Sequence, residues 1–177
     1  MELILGGARS GKSRWAEQRA RCWRERQTGA ELWYVATARA EDDEMRRRIS
    51  EHRNRRSELW QTCEQPLQLA ALLDEFNDRH ACVLIDCLTL WISNCLHAGT
   101  WPEERAALLA SLAKLNNQPR LQVILVSNEV GSGIVPLGAL SREFVDAAGF
   151  LHQALAKQAD TVTLVMAGLP LRLKTED

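Results

Sequence analysis

Residues 6–13 read GGARSGKS, a GxxxxGK[ST] spacing set directly after the apolar run 3–5 and directly before a helical pattern. A loop of this kind binds the phosphates of a nucleoside triphosphate. Gly6 and Gly11 open backbone turns closed to other residues, so the amides of Gly7, Ala8, Arg9 and Ser10 are free to point inward at an anion. The helix beginning near Lys12 adds its positive dipole end to the same spot. Lys12 is expected to reach the β and γ phosphates, and the Ser13 hydroxyl to ligate a bridging Mg²⁺.

Two further positions carry chemistry. Asp86 ends the apolar run 82–85, at the edge where the loop also opens. It fits an acid that holds Mg²⁺ directly or through water, and it equally fits an N-cap for the helix starting near Leu88. In the segment 41–56 the acids lead and the bases follow, as the helix dipole favours, which by itself describes a solvated, well-paired helix. Met45 and Ile49 mark its packing face, and His52 falls at the next position of that stripe. A histidine so placed is either a packed residue or a nucleophile. The neighbouring Arg48, Arg53, Arg55 and Arg56 disfavour the imidazolium, keep the ring neutral and attract phosphates.

The elements that must position these groups alternate. Apolar runs at 3–5, 32–36, 82–85, 121–126 and 162–165 have the length and composition of strands buried on both faces. Helical patterns fall at 12–26, 42–56, 66–77, 88–97, 102–116 and 139–158. The expected fold is an α/β P-loop NTPase (RecA-like) three-layer domain with a mostly parallel central sheet and its ligand crevice at the carboxyl ends of the strands. With 177 residues and 46% hydrophobic content, a single domain over 1–177 is expected. The net charge of −1 gives no global attraction to nucleic acid or membrane. The first strand begins almost at Met1 and no apolar run is long enough to span a bilayer, so a cytoplasmic protein is expected. Five cysteines without a CxxC pair read as buried small hydrophobes rather than a disulfide framework. Residues 174–177 read as a frayed tail.

Several stretches together carry a resemblance. GGARSGKS, the ATA of 36–38, the DDEM of 42–45 leading to RIxxHR at 48–53, the DCLTLWxxN of 86–94 and above all NEVGSGIVP at 128–136 occur in this order over nearly the whole chain. The sequence resembles the bifunctional adenosylcobinamide kinase and adenosylcobinamide-phosphate guanylyltransferase family of cobalamin synthesis. The loop alone is common; the NEVGxGIVP stretch and the helix ending in RIxxHR are far more specific.

The resemblance implies a two-step enzyme. It would phosphorylate the aminopropanol hydroxyl of adenosylcobinamide with ATP or GTP. It would then transfer GMP from GTP to that phosphate, releasing pyrophosphate and giving adenosylcobinamide-GDP. Family members pass through a guanylylated histidine, and His52 is the matching position. By position, Thr37, Ala38 and Arg39 match a nucleotide-contacting stretch, Arg53, Asn54, Arg55 and Arg56 a stretch holding nucleotide beside the reactive histidine, and Glu64 and Asp86 acidic nucleotide-site positions. The catalytic set is therefore His52, Lys12 and Asp86, with Ser13 and Asp86 for Mg²⁺ and a corrinoid as the small-molecule partner. Asn128 and Glu129 stand where a ligand contact is expected, while Gly131 and Gly133 also suit unusual backbone angles.

Two departures from the family pattern are visible. Glu51 stands where some members carry a second histidine, so the assignment rests on His52 alone. The segment 19–31 is long and rich in Arg and Trp, which implies an extended helix able to touch a neighbouring subunit; characterised relatives form homotrimers. Trp15, Trp33 and Trp91 read as core, and Trp23, Trp60 and Trp101 as lining for a corrinoid or an oligomer interface. Two other functions fit the loop without the resemblance: a P-loop small-molecule kinase with no covalent nucleotide, and a nucleotide-dependent assembly protein.

Overall fold

The computed structural model describes residues 1–38, 59–116 and 118–175. The expected helix 42–56 lies outside the described residues, and with it His52, Arg53, Asn54, Arg55 and Arg56; Arg39 lies outside them as well.

Among the described residues seven strands form one sheet: β1 (Glu2–Gly6), β2 (Glu31–Ala36), β3 (Trp60–Glu64), β4 (Ala81–Asp86), β5 (Leu121–Asn128), β6 (Thr161–Met166) and β7 (Leu169–Lys174). The described helices are α1 (Lys12–Arg26), α2 (Leu69–Asp74), α3 (Leu88–Ala98), α4 (Trp101–Leu115) and α5 (Ala139–Gln158). The strand order is β3-β2-β4-β5-β1-β6-β7, parallel except for β7. The expected α/β layering is therefore observed.

Both sheet faces are covered. Leu3, Val35, Val83, Ile85, Val123 and Leu125 pack on one face against α2 to α5, and Ile4, Leu32, Leu84, Ile124 and Val126 on the other against Ala16 and Ala20 of α1. The two small alanines let α1 sit close to the strands, which brings its first turn to the end of β1. This two-sided burial is why the central strands are continuous apolar runs without alternation.

The edges differ from expectation. β3 reads WQTCE and exposes Gln61, Thr62 and Glu64, so no apolar run announces it; its backbone ladder to β2 makes it a strand. β7 is joined to β6 by Ala167 and Gly168, whose φ values of 53° and 79° give the two-residue hairpin turn that suits strand twist. The frayed-tail expectation is corrected at Lys174, which ends β7 and donates from Nζ to the carbonyls of Ala156, Lys157 and Ala159, neutralising the C-terminal end of α5. Helix ends elsewhere follow the residue types. Pro102, Glu103 and Glu104 open α4, and Gly99 closes α3 in the left-handed conformation.

Of the tryptophans expected to line a ligand or an interface, Trp60 is corrected, being buried against Tyr34. Trp23 packs edge-on to His80 and Trp101 edge-on to Trp91 at 5.5 Å, each remaining partly exposed. Among the described residues no helix is long and apolar enough to cross a membrane, and all five cysteines are free thiols.

Trp91 ties α3 to the chain before α2: it is fully buried, and its Nε1 donates to the Leu67 carbonyl at 2.6 Å. Trp91→Ala is expected to lower the free energy of unfolding by about 3–5 kcal/mol, through lost burial and an orphaned carbonyl. Equilibrium urea unfolding measures it.

Candidate functional site

The parallel register brings the functional positions to one edge. Gly6 pairs with Asn128, Val126 with Asp86, Asp86 with Ala36 and Ala36 with Glu64. β5 lies between β1 and β4, so Asp86 stands about two strand spacings, roughly 10 Å, across the sheet from β1 and level with Ile4, two residues before the end of that strand. A triphosphate and its metal fill such a gap. Glu64 is about four spacings, roughly 19 Å, from β1, so no single phosphate group reaches both it and the loop.

The loop 6–13 has the backbone its spacing implies. Gly11 caps α1 at φ 95°, Arg9 takes φ 56°, and Gly7, Ala8 and Arg9 are exposed at the tip. A Cβ on Gly6 would stand 2.5 Å from both the Ser10 hydroxyl and the Val165 carbonyl, so only glycine fits where the strand enters the loop. Lys12 is nearly buried, and its Nζ donates to the Gly7 carbonyl at 3.2 Å, which arches the ammonium over the loop. Ser13, partly exposed, follows it on the first turn of α1.

The underside of the loop rests on a feature that motif reading did not find. Gly168, in the β6–β7 turn, donates its backbone N–H to the Ser10 carbonyl at 2.8 Å. Its Cα would lie 3.3 Å from a Cβ on Gly11. The turn sequence Ala-Gly lacks the usual Asn-Gly or Asp-Gly signal, so nothing in the sequence marked it.

Asp86 is positioned from behind. The Tyr34 hydroxyl donates to Asp86 Oδ2 at 2.8 Å. Thr37 is fully buried; its hydroxyl donates to the Cys87 carbonyl at 2.7 Å and accepts from the Cys87 N–H at 2.9 Å. Asn94 donates to the carbonyls of Thr37 and Pro66, each at 2.9 Å, joining the exits of β2 and β3. Thr37 therefore braces the chain after Asp86 with its side chain. Ala38, next along, is partly exposed. Tyr34 sits within the apolar run 32–36, and nothing in its sequence context marks a polar task.

The NEVGSGIVP stretch begins beside the loop. The Glu129 N–H donates to the Gly6 carbonyl at 3.1 Å. Its carboxylate accepts from the backbone N–H groups of Gly131 at 2.7 Å and Ser132 at 3.3 Å. Burial acts to raise the Glu129 pKa, but the bonds from Ser132 and Gly131, with His152 nearby, outweigh it and hold the carboxyl below its ordinary value. Glu129 thus shapes its own turn. Behind it, His152 Nε2 and the fully buried Ser127 Oγ share a hydrogen bond of 2.8 Å.

A hard divalent cation fits this chemistry. Among the described residues there is no cluster of three His, Cys, Asp or Glu side chains that would cage a metal alone. Asp86 and Ser13 instead offer a carboxylate and a hydroxyl at the edge where phosphates would bind, the oxygen set that Mg²⁺ shares with a nucleotide.

The family model described as "Cobinamide kinase / cobinamide phosphate guanyltransferase" matches residues 2–173. The chain is 51% identical, over 178 residues covering 99% of it and 98% of the relative, to the "Bifunctional adenosylcobalamin biosynthesis protein CobP" of Pseudomonas aeruginosa. It is 37% identical, over 98% of its length and 99% of the relative's, to the "Bifunctional adenosylcobalamin biosynthesis protein CobU" of Escherichia coli. Among solved structures, the flagellar accessory protein FlaH of Methanocaldococcus jannaschii superposes with a TM-score of 0.55 at 13% identity, over 99% of this chain and 78% of that one. That likeness is one of fold.

His152 makes the site's scaffold sensitive to acid. Burial pushes its pKa below the ordinary 6.5, with the Glu129 carboxylate opposing. The unfolded chain then binds more protons at this ring than the folded one. The stability it contributes is complete above pH 6.5 and is lost as pH falls from there through the folded value. Urea unfolding is expected to show stability declining between about pH 7 and pH 5, with a shallower decline in His152→Gln.

Proposed function

The chain belongs to the cobinamide kinase / cobinamide phosphate guanyltransferase family, and we propose that it catalyses both reactions from one nucleotide site on a single domain. The observation that carries this reading is the meeting of the GGARSGKS loop, Asp86 and the start of NEVGSGIVP at one carboxyl edge. The chain is a kinase and nucleotidyltransferase acting on a corrinoid, so neither a kinase alone nor an assembly protein is retained.

In the first step the aminopropanol hydroxyl of adenosylcobinamide attacks the γ phosphorus of ATP or GTP. The bond from the γ phosphorus to the β–γ bridging oxygen breaks, and the nucleoside diphosphate leaves. The loop amides and Lys12 hold the phosphates and stabilise charge that builds on the leaving oxygen. Ser13 and Asp86 would hold Mg²⁺, which supplies further neutralisation of the phosphate oxygens when bound.

In the second step His52 acts as the nucleophile. Its imidazole nitrogen attacks the α phosphorus of GTP, pyrophosphate leaves, and the new corrinoid phosphate then displaces the imidazole to give adenosylcobinamide-GDP. Splitting the transfer this way replaces one difficult displacement with two easier ones. Arg53, Arg55 and Arg56 neutralise charge during both, with Asn54 and Arg39 as polar contacts to the nucleotide. Glu64, too far from the loop for the same phosphate, is assigned with Ala38 to the nucleoside end, whereas Thr37, buried and bonded to the Cys87 backbone, is a brace and not a nucleotide contact.

A cytoplasmic homotrimer is part of the same reading. Leu169, Leu171 and Leu173 are all exposed on the edge strand β7, an apolar surface suited to contact between copies.

Incubation with GTP labelled at the α phosphorus is expected to label the protein through an acid-labile, alkali-stable bond, and His52→Ala to abolish both label and guanylyl transfer. Label from the γ position with none from the α would overturn the relay. Tyr34→Phe, which frees Asp86 Oδ2, is expected to lower phosphoryl transfer about tenfold, equivalent to ~1.4 kcal/mol. Steady-state rates across a Mg²⁺ titration measure it, and an unchanged rate and Mg²⁺ requirement would remove Tyr34 from the positioning of Asp86.

A further inference from the structure

Between α3 and α5 a cavity of about 510 Å³ opens beside the carboxyl ends of β4 and β5. Its wall is mostly apolar, from Leu90, Val130, Leu140 and Phe144, with Thr89 and Asn128 among its polar groups. This size and this mixture are those of a small-molecule site. The cavity also adjoins the nucleotide edge directly. Asn128 pairs in register with Gly6, where the phosphate loop begins, and Thr89 stands three residues after Asp86.

The Asn128 side chain is held with one half committed. Its Nδ2 donates to Thr89 Oγ1 at 3.1 Å, and that hydroxyl lies 3.0 Å from Cys87 Sγ, next to Asp86. Among the described residues nothing donates to its buried Oδ1. A buried carbonyl oxygen without a donor is costly, and in native structures it has a cause such as strain, a functional role, or a bound water or ion. The vacant acceptor belongs to a residue that lines the cavity beside the phosphate loop.

We propose that this cavity receives the aminopropanol-bearing arm of the corrinoid acceptor, with the Asn128 amide turning to bring Oδ1, closed to solvent in this conformation, to the arm's amide N–H or hydroxyl. This rests on the cobinamide reading above and assigns the acceptor half of that site. The arm is short, apolar along its carbons and carries one amide N–H and one hydroxyl, which matches a mostly apolar wall with a few polar groups. The macrocycle, larger than the cavity, stays at its mouth. There Val135 and Leu137, on either side of the lining Pro136, are exposed at 73% and 98% and offer apolar contact to a flat ring system. Seated this way, the arm's hydroxyl approaches the triphosphate from the side of β5, between the loop and Asp86.

Equilibrium dialysis of the whole protein against adenosylcobinamide, read by corrin absorbance, tests the assignment. Asn128→Ala removes the acceptor, and Leu140→Trp, at a half-exposed position, fills the cavity without touching the core. Both are expected to weaken corrinoid binding by tenfold or more while keeping a cooperative thermal unfolding transition. Should Asn128→Ala fail to fold, Leu140→Trp decides alone. Unchanged binding in Leu140→Trp would overturn the cavity assignment, and weakened binding there with none in Asn128→Ala would overturn the role of Asn128. Unchanged binding accompanied by a smaller sedimenting species in Leu140→Trp would give the cavity to a second copy of the chain and overturn the proposal. Wild-type protein that binds GTP but takes up no corrinoid would instead remove the cobinamide reading on which the assignment stands.

Discussion

The site depends on one constraint, the hydrogen-bonded parallel register that places β5 between β1 and β4. Parallel strands all end at the same side of a sheet, so the groups that follow them are gathered without any long-range contact between side chains. Here that constraint fixes the gap between the phosphate loop and Asp86 at two strand spacings, and it fills the gap with Asn128. A direct β1–β4 pairing would bring the acid a full strand closer and leave no position between the loop and Asp86 for an acceptor group.

Around this frame the polar side chains divide into those that build and those that act. Tyr34, Thr37 and Asn94 spend their hydrogen bonds on Asp86, on the Cys87 backbone and on the exits of β2 and β3. Glu129 spends both carboxylate oxygens on its own turn. Such fully engaged groups, Tyr34 and Thr37 buried and Asn94 and Glu129 half-buried, hold a geometry rigid, because breaking a buried one leaves a desolvated partner behind. Lys12, Ser13 and the exposed tip Gly7–Ala8–Arg9 lie on the open side, where an anion meets them.

Legibility in the sequence followed the physics of each element. The five central strands and the phosphate loop were readable, since burial on both faces writes continuous apolar runs and the loop's backbone demands glycine at fixed offsets. The edge strands were not. β3 is stabilised by its ladder to β2 more than by its own side chains, and β7 turns on Ala167-Gly168, a pair with no strong turn preference. Trp60 misled because an amphipathic ring next to polar residues suits packing and binding equally; only its observed burial against Tyr34 decides. The partners of Thr37 and Asp86 were likewise hidden, because contacts between residues some fifty positions apart leave no local trace.

The hairpin beneath the loop shows how such an unreadable element shapes chemistry. A phosphate loop works only if its amides keep their direction when charge arrives, since reorienting them would consume the electrostatic gain. The loop's tip is exposed and cannot be held from above. Its rigidity must come from below, where Gly168 donates to the Ser10 carbonyl and the Val165 carbonyl closes on Gly6. Ala167, in a left-handed conformation uncommon for a side-chain-bearing residue, is tolerated at that turn because the β6–β7 pairing on both sides leaves the backbone no alternative course. The sheet's antiparallel edge thus serves the nucleotide site as a brace, and the last strand of the chain acts on the first loop.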